Sequence, residues 1–305
     1  MQKALFVGAL VIGLGFALAG FVLFLVIGLS VPGMGLSLLT DFPSASLFGQ
    51  FIGGYLGPIF GIVTSFLLFA TLTNQSAVNR KISFESSFYK MLDYHQQHVA
   101  SLQVKHVRST DNQYEAMSGK RAFVAFRLQL QRLLAIVRES SAELGLALSE
   151  DQIVDGACVA FYFGLHDEVA EFLRETLHDF PQPRKLVDYL MGAKLHRAGS
   201  TGEYIGRANQ TYLSSYFRNL YHLIKYVDTQ RILSKKEKIQ YMNIVRAQLS
   251  DSELWLLYFN VVSRFGRKWL EHRYVEKYRL LRNLPRGFCA PFDPEERFPT
   301  VFAAG

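Results

Sequence analysis

The chain has 305 residues, half of them apolar and only 19% charged, with a formal net charge of +7. Soluble domains carry about 25% charged residues, and the deficit here lies at one end: residues 1–79 hold two charges, Lys3 and Asp41, which cancel. That excludes a uniform soluble enzyme and a disordered tail protein, and two cysteines, Cys158 and Cys289, are too few to frame a disulfide scaffold.

Ala4 to Leu29 is an uncharged run rich in Leu, Val, Phe and Gly. As a helix it is long enough to cross the ~30 Å hydrocarbon core of a bilayer. Ser30 to Leu47 contains Pro32, Gly33, Gly35, Asp41 and Pro43 and reads as a loop. Phe48 to Leu72 is a second uncharged run, with Pro58 inside it, which membrane helices tolerate. Residues 1–79 are therefore expected to form a transmembrane hairpin with helices at about 4–29 and 48–72. Lys3 precedes the first run, Arg80 and Lys81 follow the second, and the loop has neither Lys nor Arg. The positive-inside rule then places both chain termini in the cytoplasm, in a multi-pass protein. A cleaved signal peptide is the competing reading, with Ala17-Leu18-Ala19 as the cleavage site. The apolar run, however, continues from Phe21 through Ile27.

Gly49, Gly53, Gly57 and Gly61 recur every fourth residue, which puts them on one helix ridge where another backbone can approach closely. Ala9, Gly13 and Ala17 make a weaker ridge on the first helix. Packing of the two helices on each other and self-association into a homo-oligomer both use such ridges, and both readings stay open. Neither span contains an ionisable residue, which argues against a charge-lined ion pathway.

Beyond residue 79 helix signals dominate, and residues 80–286 are expected to form an α-helical cytoplasmic domain. Phe84 to Val104 and Gly119 to Leu144 read as helices, the second closed by Gly145. Ser149 to Gln152 is a capping box that opens a helix to about Gly164. His166 to Phe180 is a further helix before Pro181 and Pro183. Ser234 with Glu237 and Ser250 with Glu253 are two more capping boxes. Residues 287–305, with three prolines, are expected to be an irregular tail. The fold class is all-α, a two-helix transmembrane hairpin followed by a helical cytoplasmic domain.

Charge is uneven within that domain. Residues 82–203 carry 13 basic and 16 acidic residues, whereas residues 204–286 carry 16 basic and 6 acidic, a net of +10. The basic block interleaves aromatics, among them Tyr212, Phe217, Trp255 and Trp269. Such a block can bind nucleic acid by phosphate contacts and stacking, face anionic lipid, or simply form packed helices with a solvated charged face.

Motifs for chemistry are sparse. The chain has no G-x-x-x-x-G-K-[ST] loop, no G-x-S-x-G elbow and no H-E-x-x-H helix. His95 and His98 lie three apart on a helix, without an acidic or sulfur partner to complete a metal site. No cofactor, metal or small-molecule substrate is expected. Arg267 and His272 have the Arg-x4-His spacing used by all-α HEPN ribonucleases, in which His does acid–base work and Arg holds phosphate. A membrane-tethered HEPN-like ribonuclease is the enzymatic alternative.

The runs Tyr216 to Asp228 (YFRNLYHLIKYVD), Tyr241 to Leu254 (YMNIVRAQLSDSEL) and Leu257 to Asn260 (LYFN) carry a longer pattern. It resembles the phage abortive infection family (AbiC-like), in which a YFRxLYxxxKxxD segment precedes an RAQLSxxELxLLxxN segment. Phe84 to Leu92 and Gly119 to Phe123 resemble earlier elements of that family, and two N-terminal transmembrane helices fit it. The resemblance implies a non-enzymatic effector of antiviral defence in the bacterial inner membrane. Some members resemble the two-helix effectors encoded beside retrons, where a reverse transcriptase and its msDNA restrain the effector until phage interference releases membrane damage. The partners so implied are the lipid bilayer, further copies of the chain and a retron complex held through the 204–286 block. The residues carried over are Tyr216, Arg218, Tyr221, Lys225, Asp228, Arg246, Gln248, Ser250, Glu253 and Asn260. Capping accounts for Ser250 and Glu253; the others can form a polar network or contact a ligand. A passive membrane adaptor is a further alternative.

Overall fold

The structure, a computed structural model, describes residues 8, 12–13, 15–16, 18–24, 26, 30, 42–107, 114–200 and 205–303. The chain divides into two compact units, Met1–Glu85 and Ser86–Gly305. Most of the first expected span, 4–29, and of the loop, 30–47, lies outside the described residues; those described between 8 and 30 are helical.

The long helix α1 covers Phe42–Ser101 and contains Pro58. The expected loop therefore yields to helix at Phe42, five residues before Leu47. Pro43 suits that start, because a first-turn residue needs no N–H partner. Nor does the chain pause between the second apolar run and Phe84, where two helices were expected. Residues 73–83 contain neither Gly nor Pro, so nothing stops the helix. Among the described residues α1 is the one helix long and apolar enough to cross a membrane.

In the first unit the apolar side chains of α1 find little cover. Phe60, Ile62, Phe66, Leu68, Phe69 and Leu72 are between 47% and 67% exposed. In contrast, Ser65 and Thr71 donate their hydroxyls to the carbonyls of Gly61 and Leu67, both at 2.8 Å, so their polar atoms are satisfied within the helix. Gly13 approaches Val63 closely: a Cβ there would stand 3.0 Å from a Val63 methyl. Among the described residues, a Cβ on Gly49, Gly53, Gly57 or Gly61 would meet nothing within 4 Å.

Among the described residues, the second unit is a helical domain with one two-stranded ribbon. Phe88, Leu92, His95 and Val99 of α1 are buried at helical spacing. Strands β1 (Gln103–Val107) and β2 (Tyr114–Ser118) pair antiparallel, Val104 opposite Met117. This short ribbon leaves the chain mostly helical, as the all-α expectation has it, but takes the last residues assigned to the Phe84–Val104 helix. Val104 points into the core while Gln103 and Lys105 face solvent, a period of two too short to stand out in the sequence.

Next come α2 (Lys120–Glu143), α3 (Glu150–Phe163), a 3-10 turn at Asp167–Val169, α4 (Ala170–Thr176) and α5 (Pro183–Ser200). The expected His166–Phe180 helix is thus shorter. Pro183 opens a helix rather than only closing one, since its fixed φ suits a first turn. The last long helices are α6 (Gln210–Thr229), α7 (Lys235–Gln248) and α8 (Asp251–Val262). All three capping boxes form, at Ser149/Gln152, Ser234/Glu237 and Ser250/Glu253.

Helix α8 is the hub. Residues 252–261 are all buried, as a helix apolar on every face requires. Helices α2 and α3 pack on it and on each other. After α8 the chain makes a 3-10 turn at Arg264–Gly266, then α9 (Arg267–Glu271) and α10 (Tyr274–Tyr278). The tail is not wholly irregular: α11 (Pro294–Arg297) and α12 (Pro299–Phe302) form, with Cys289, Phe298 and Val301 buried.

Candidate functional site

The residues singled out in the sequence separate into four places. The first is a knot in the core. Tyr216, on α6, is fully buried and donates its hydroxyl to Glu253 Oε1 at 3.1 Å. Glu253 Oε2 accepts from the Ser250 amide at 2.8 Å and from its hydroxyl at 2.6 Å. One carboxyl group thus caps α8 and ties it to α6. The Tyr216 ring lies 4.8 Å from both His95 and Phe123.

The second place is Asp228, near the end of α6. It accepts from Lys277 and Tyr278 on α10, and Lys238 donates to its carbonyl. Partial burial pulls the Asp228 carboxyl up, but those hydrogen bonds outweigh it and hold the pKa below its usual value. The third place joins the end of α7 to its neighbours. Arg246 donates to the carbonyl of Arg279 at 3.1 Å, where the chain turns with positive φ. Gln248 accepts from Gln96 at 2.9 Å, and its carbonyl from Lys120 at 2.8 Å.

The fourth place is an open cleft of about 580 Å³. From α6 it takes Phe217, Arg218, Tyr221 and Lys225; from α8 and the turn after it, Asn260, Arg264 and Phe265; from α9, Arg267, Lys268 and Trp269. Tyr162, Phe163, Gln210, Ser214 and His222 also line it. Arg264 is committed elsewhere, at 2.6 Å from Asp155 and 3.1 Å from Asp179. Arg218, Lys225, Arg267 and Lys268 are exposed and make no ion pair among the described residues; Glu271 is the one acidic residue of the lining.

Gly266 sets the geometry of this cleft. A Cβ there would fall 2.2 Å from the Asn260 carbonyl and 2.4 Å from Val261 Cα. Only glycine lets the turn fold back against α8 and present Arg267 to Trp269 beside α6. Trp269 is buried and meets the Tyr221 ring edge-on, centroids 5.4 Å apart. Asn260 is 4% exposed; its Nδ2 donates to the Tyr162 hydroxyl at 2.9 Å, while its Oδ1 is buried without a partner. Burial raises the Tyr162 pKa well above its usual value, so this hydroxyl stays protonated. Reversing the Asn260 amide would leave its NH2 unpaired instead. Chemically, the cleft can hold anionic groups at its rim, and one unmet hydrogen bond lies buried in its lining.

Of the proposed Arg–His pair, Arg267 lines the cleft, while His272 is exposed at the end of α9 and stacks on Tyr274, centroids 5.2 Å apart. No cluster of three metal-ligating side chains occurs among the described residues. The sequence reading missed Lys268 and Trp269 as neighbours of Arg218. It also missed Gln129, which donates to the carbonyls of Ile205 and Arg207 and accepts from Arg207 and Asn209. The signal for that network was a glutamine on the apolar face of α2, a buried polar residue that must find partners.

Residues 208–289 match the family model described as "Putative phage abortive infection protein". The resemblance to that family is thus shown over 82 of the 305 residues, from α6 to Cys289. All of the cleft lining except Tyr162 and Phe163 lies within this segment. No curated protein and no solved structure matches the chain.

Proposed function

We propose that this chain is a non-catalytic effector of phage abortive infection that acts in the bacterial inner membrane. One observation carries the reading: a segment with the abortive-infection pattern shares a chain with a helix whose large apolar side chains at Phe60, Ile62, Phe66, Leu68, Phe69 and Leu72 are exposed. Two helices cross the bilayer, with both termini in the cytoplasm. The ridge of Gly49, Gly53, Gly57 and Gly61, where a Cβ would meet nothing among the described residues, supports association between protomers, because another backbone can approach there. A nucleoprotein partner, such as a retron reverse transcriptase with its msDNA, restrains the helical domain. Its loss lets the hairpins assemble and disrupt the membrane. Expression without a partner should collapse the membrane potential, and removal of residues 1–79 should abolish killing. A truncated chain that kills as well as the full chain would refute the membrane mechanism.

The ribonuclease reading retains one supporting observation, the exposed Arg267 in a basic cleft. It requires RNA cleavage before depolarisation, and loss of killing in the Arg267→Ala, His272→Ala double variant. Full killing by that variant would remove it.

A further inference from the structure

We infer that the cleft between α6, α8 and α9 binds single-stranded nucleic acid, with phosphates on Arg218, Lys225, Arg267 and Lys268 and a base against Tyr221 over Asn260. The inference rests on the effector reading above and names the chemistry by which a partner would hold the domain.

Three independent features point to this ligand. The first is charge. Four cations from two helices border one cleft and make no ion pair among the described residues, whereas Arg264 at the same wall is fixed by Asp155 and Asp179. Four cations held together with one carboxylate, Glu271, among them repel one another, and a phosphate chain relieves that repulsion. The second is the aromatic wall. Tyr221 is half-buried, with Trp269 against its edge and Tyr274 5.7 Å from it. Its neighbours fix the ring, so that it serves as a stacking surface at small entropic cost. The third is the floor. Asn260 is among the residues that line the cleft, and its amide is buried and lacks one hydrogen bond. A buried amide group without a partner is costly, and a donor on the edge of a base that displaces the side chains over it supplies the missing partner.

The cleft volume of about 580 Å³ is that of a small-ligand site and admits a nucleotide unit. Its open side lets a chain continue past the bound unit. A double helix hides its base faces, so only an unpaired strand can use Tyr221 and Asn260 together with the rim. A lipid headgroup would satisfy the cations alone.

The test uses the full chain in detergent and a fluorescein-labelled single-stranded DNA of ~12 nucleotides, with the same sequence as RNA and as a blunt duplex. Anisotropy should show single-strand binding whose log K falls with log salt at a slope of about −2.8, for four contacts. Lys225→Glu with Lys268→Glu should weaken binding at least about tenfold and bring the slope to about −1.4. Lys235→Glu with Lys236→Glu, exposed at the start of α7, is the charge-matched control and should leave binding within about twofold. Tyr221→Leu should weaken single strands more than the duplex.

No single-strand binding, equal losses in the cleft and control variants, or equal affinity for duplex would each overturn the inference. Displacement by phosphatidylglycerol vesicles as complete as by unlabelled strand would overturn it in favour of lipid. Depolarisation on partner-free expression is read in parallel. If wild type depolarises cells but binds no strand, this inference fails alone. If it binds strands but never depolarises cells, the effector reading fails instead.

Discussion

Tyr216, Ser250 and Glu253 give the sharpest energetic prediction, because one carboxyl group serves three donors. Tyr216→Phe removes the hydroxyl and leaves the ring packed, which should cost about 1–2 kcal/mol for one buried hydrogen bond. Glu253→Ala does more. It removes the capping-box partner of Ser250, about 1 kcal/mol, and strands the Tyr216 hydroxyl in a fully buried site, about 1–3 kcal/mol. The single change should therefore cost about 2–4 kcal/mol. In the double variant no stranded hydroxyl remains, so its cost should fall short of the sum of the singles by at least about 1 kcal/mol. Denaturant unfolding of the full chain in detergent measures this. Tryptophan fluorescence is a direct probe, since Trp255 and Trp269 both lie in the segment that the knot organises. Additivity within about 0.5 kcal/mol would show that Tyr216 and Glu253 do not act as one unit.

Other consequences are as specific. His95 is 2% exposed and neither ring nitrogen has a partner; burial, with help from His98, lowers its pKa from 6.5 to about 4. The unfolded chain then binds the proton more tightly, so stability is complete above pH 6.5 and declines as pH falls towards 4, by up to about 3 kcal/mol. His95→Phe should flatten that part of the profile, and an unchanged slope would refute it. Gly266→Ala forces a methyl group into the Asn260 carbonyl and should destabilise the domain by about 3 kcal/mol or more, seen as a lowered denaturant midpoint. Gly53→Leu with Gly57→Leu meets open space among the described residues, so the helical domain's midpoint should not move, whereas cross-linked oligomers in membranes should diminish. Retained oligomers would place the contact elsewhere.

Local rules made much of the helical domain legible in its sequence. The three capping boxes form at the residues that announce them, because Ser and Glu or Gln three apart satisfy helix N–H groups without help from tertiary structure. Gly145 likewise closes α2, with positive φ. What stayed hidden depended on distant partners. The hairpin Gln103–Ser118 is too short for its alternation to register. The continuity of α1 through residues 73–83 left no mark beyond the absence of a breaker. Prolines 291, 294 and 299 suggested an irregular tail, yet two of them start short helices, since a first turn needs no N–H from its first residue. Of the ten residues of the family pattern, Ser250 and Glu253 read as a cap, and the others were open to a polar network or a ligand contact. In space four of them, Arg218, Tyr221, Lys225 and Asn260, line the cleft, while the others brace helices. Lys268 and Trp269 join the cleft only because Gly266 turns the chain back, a steric fact that spacing does not reveal.

Membrane potential after induction of the full chain, without any partner, tests the central claim most directly. A voltage-sensitive dye read before loss of viability should report depolarisation, and the chain lacking residues 1–79 should leave both potential and viability intact. Cell death at a preserved potential, or killing by the truncated chain, would contradict the account.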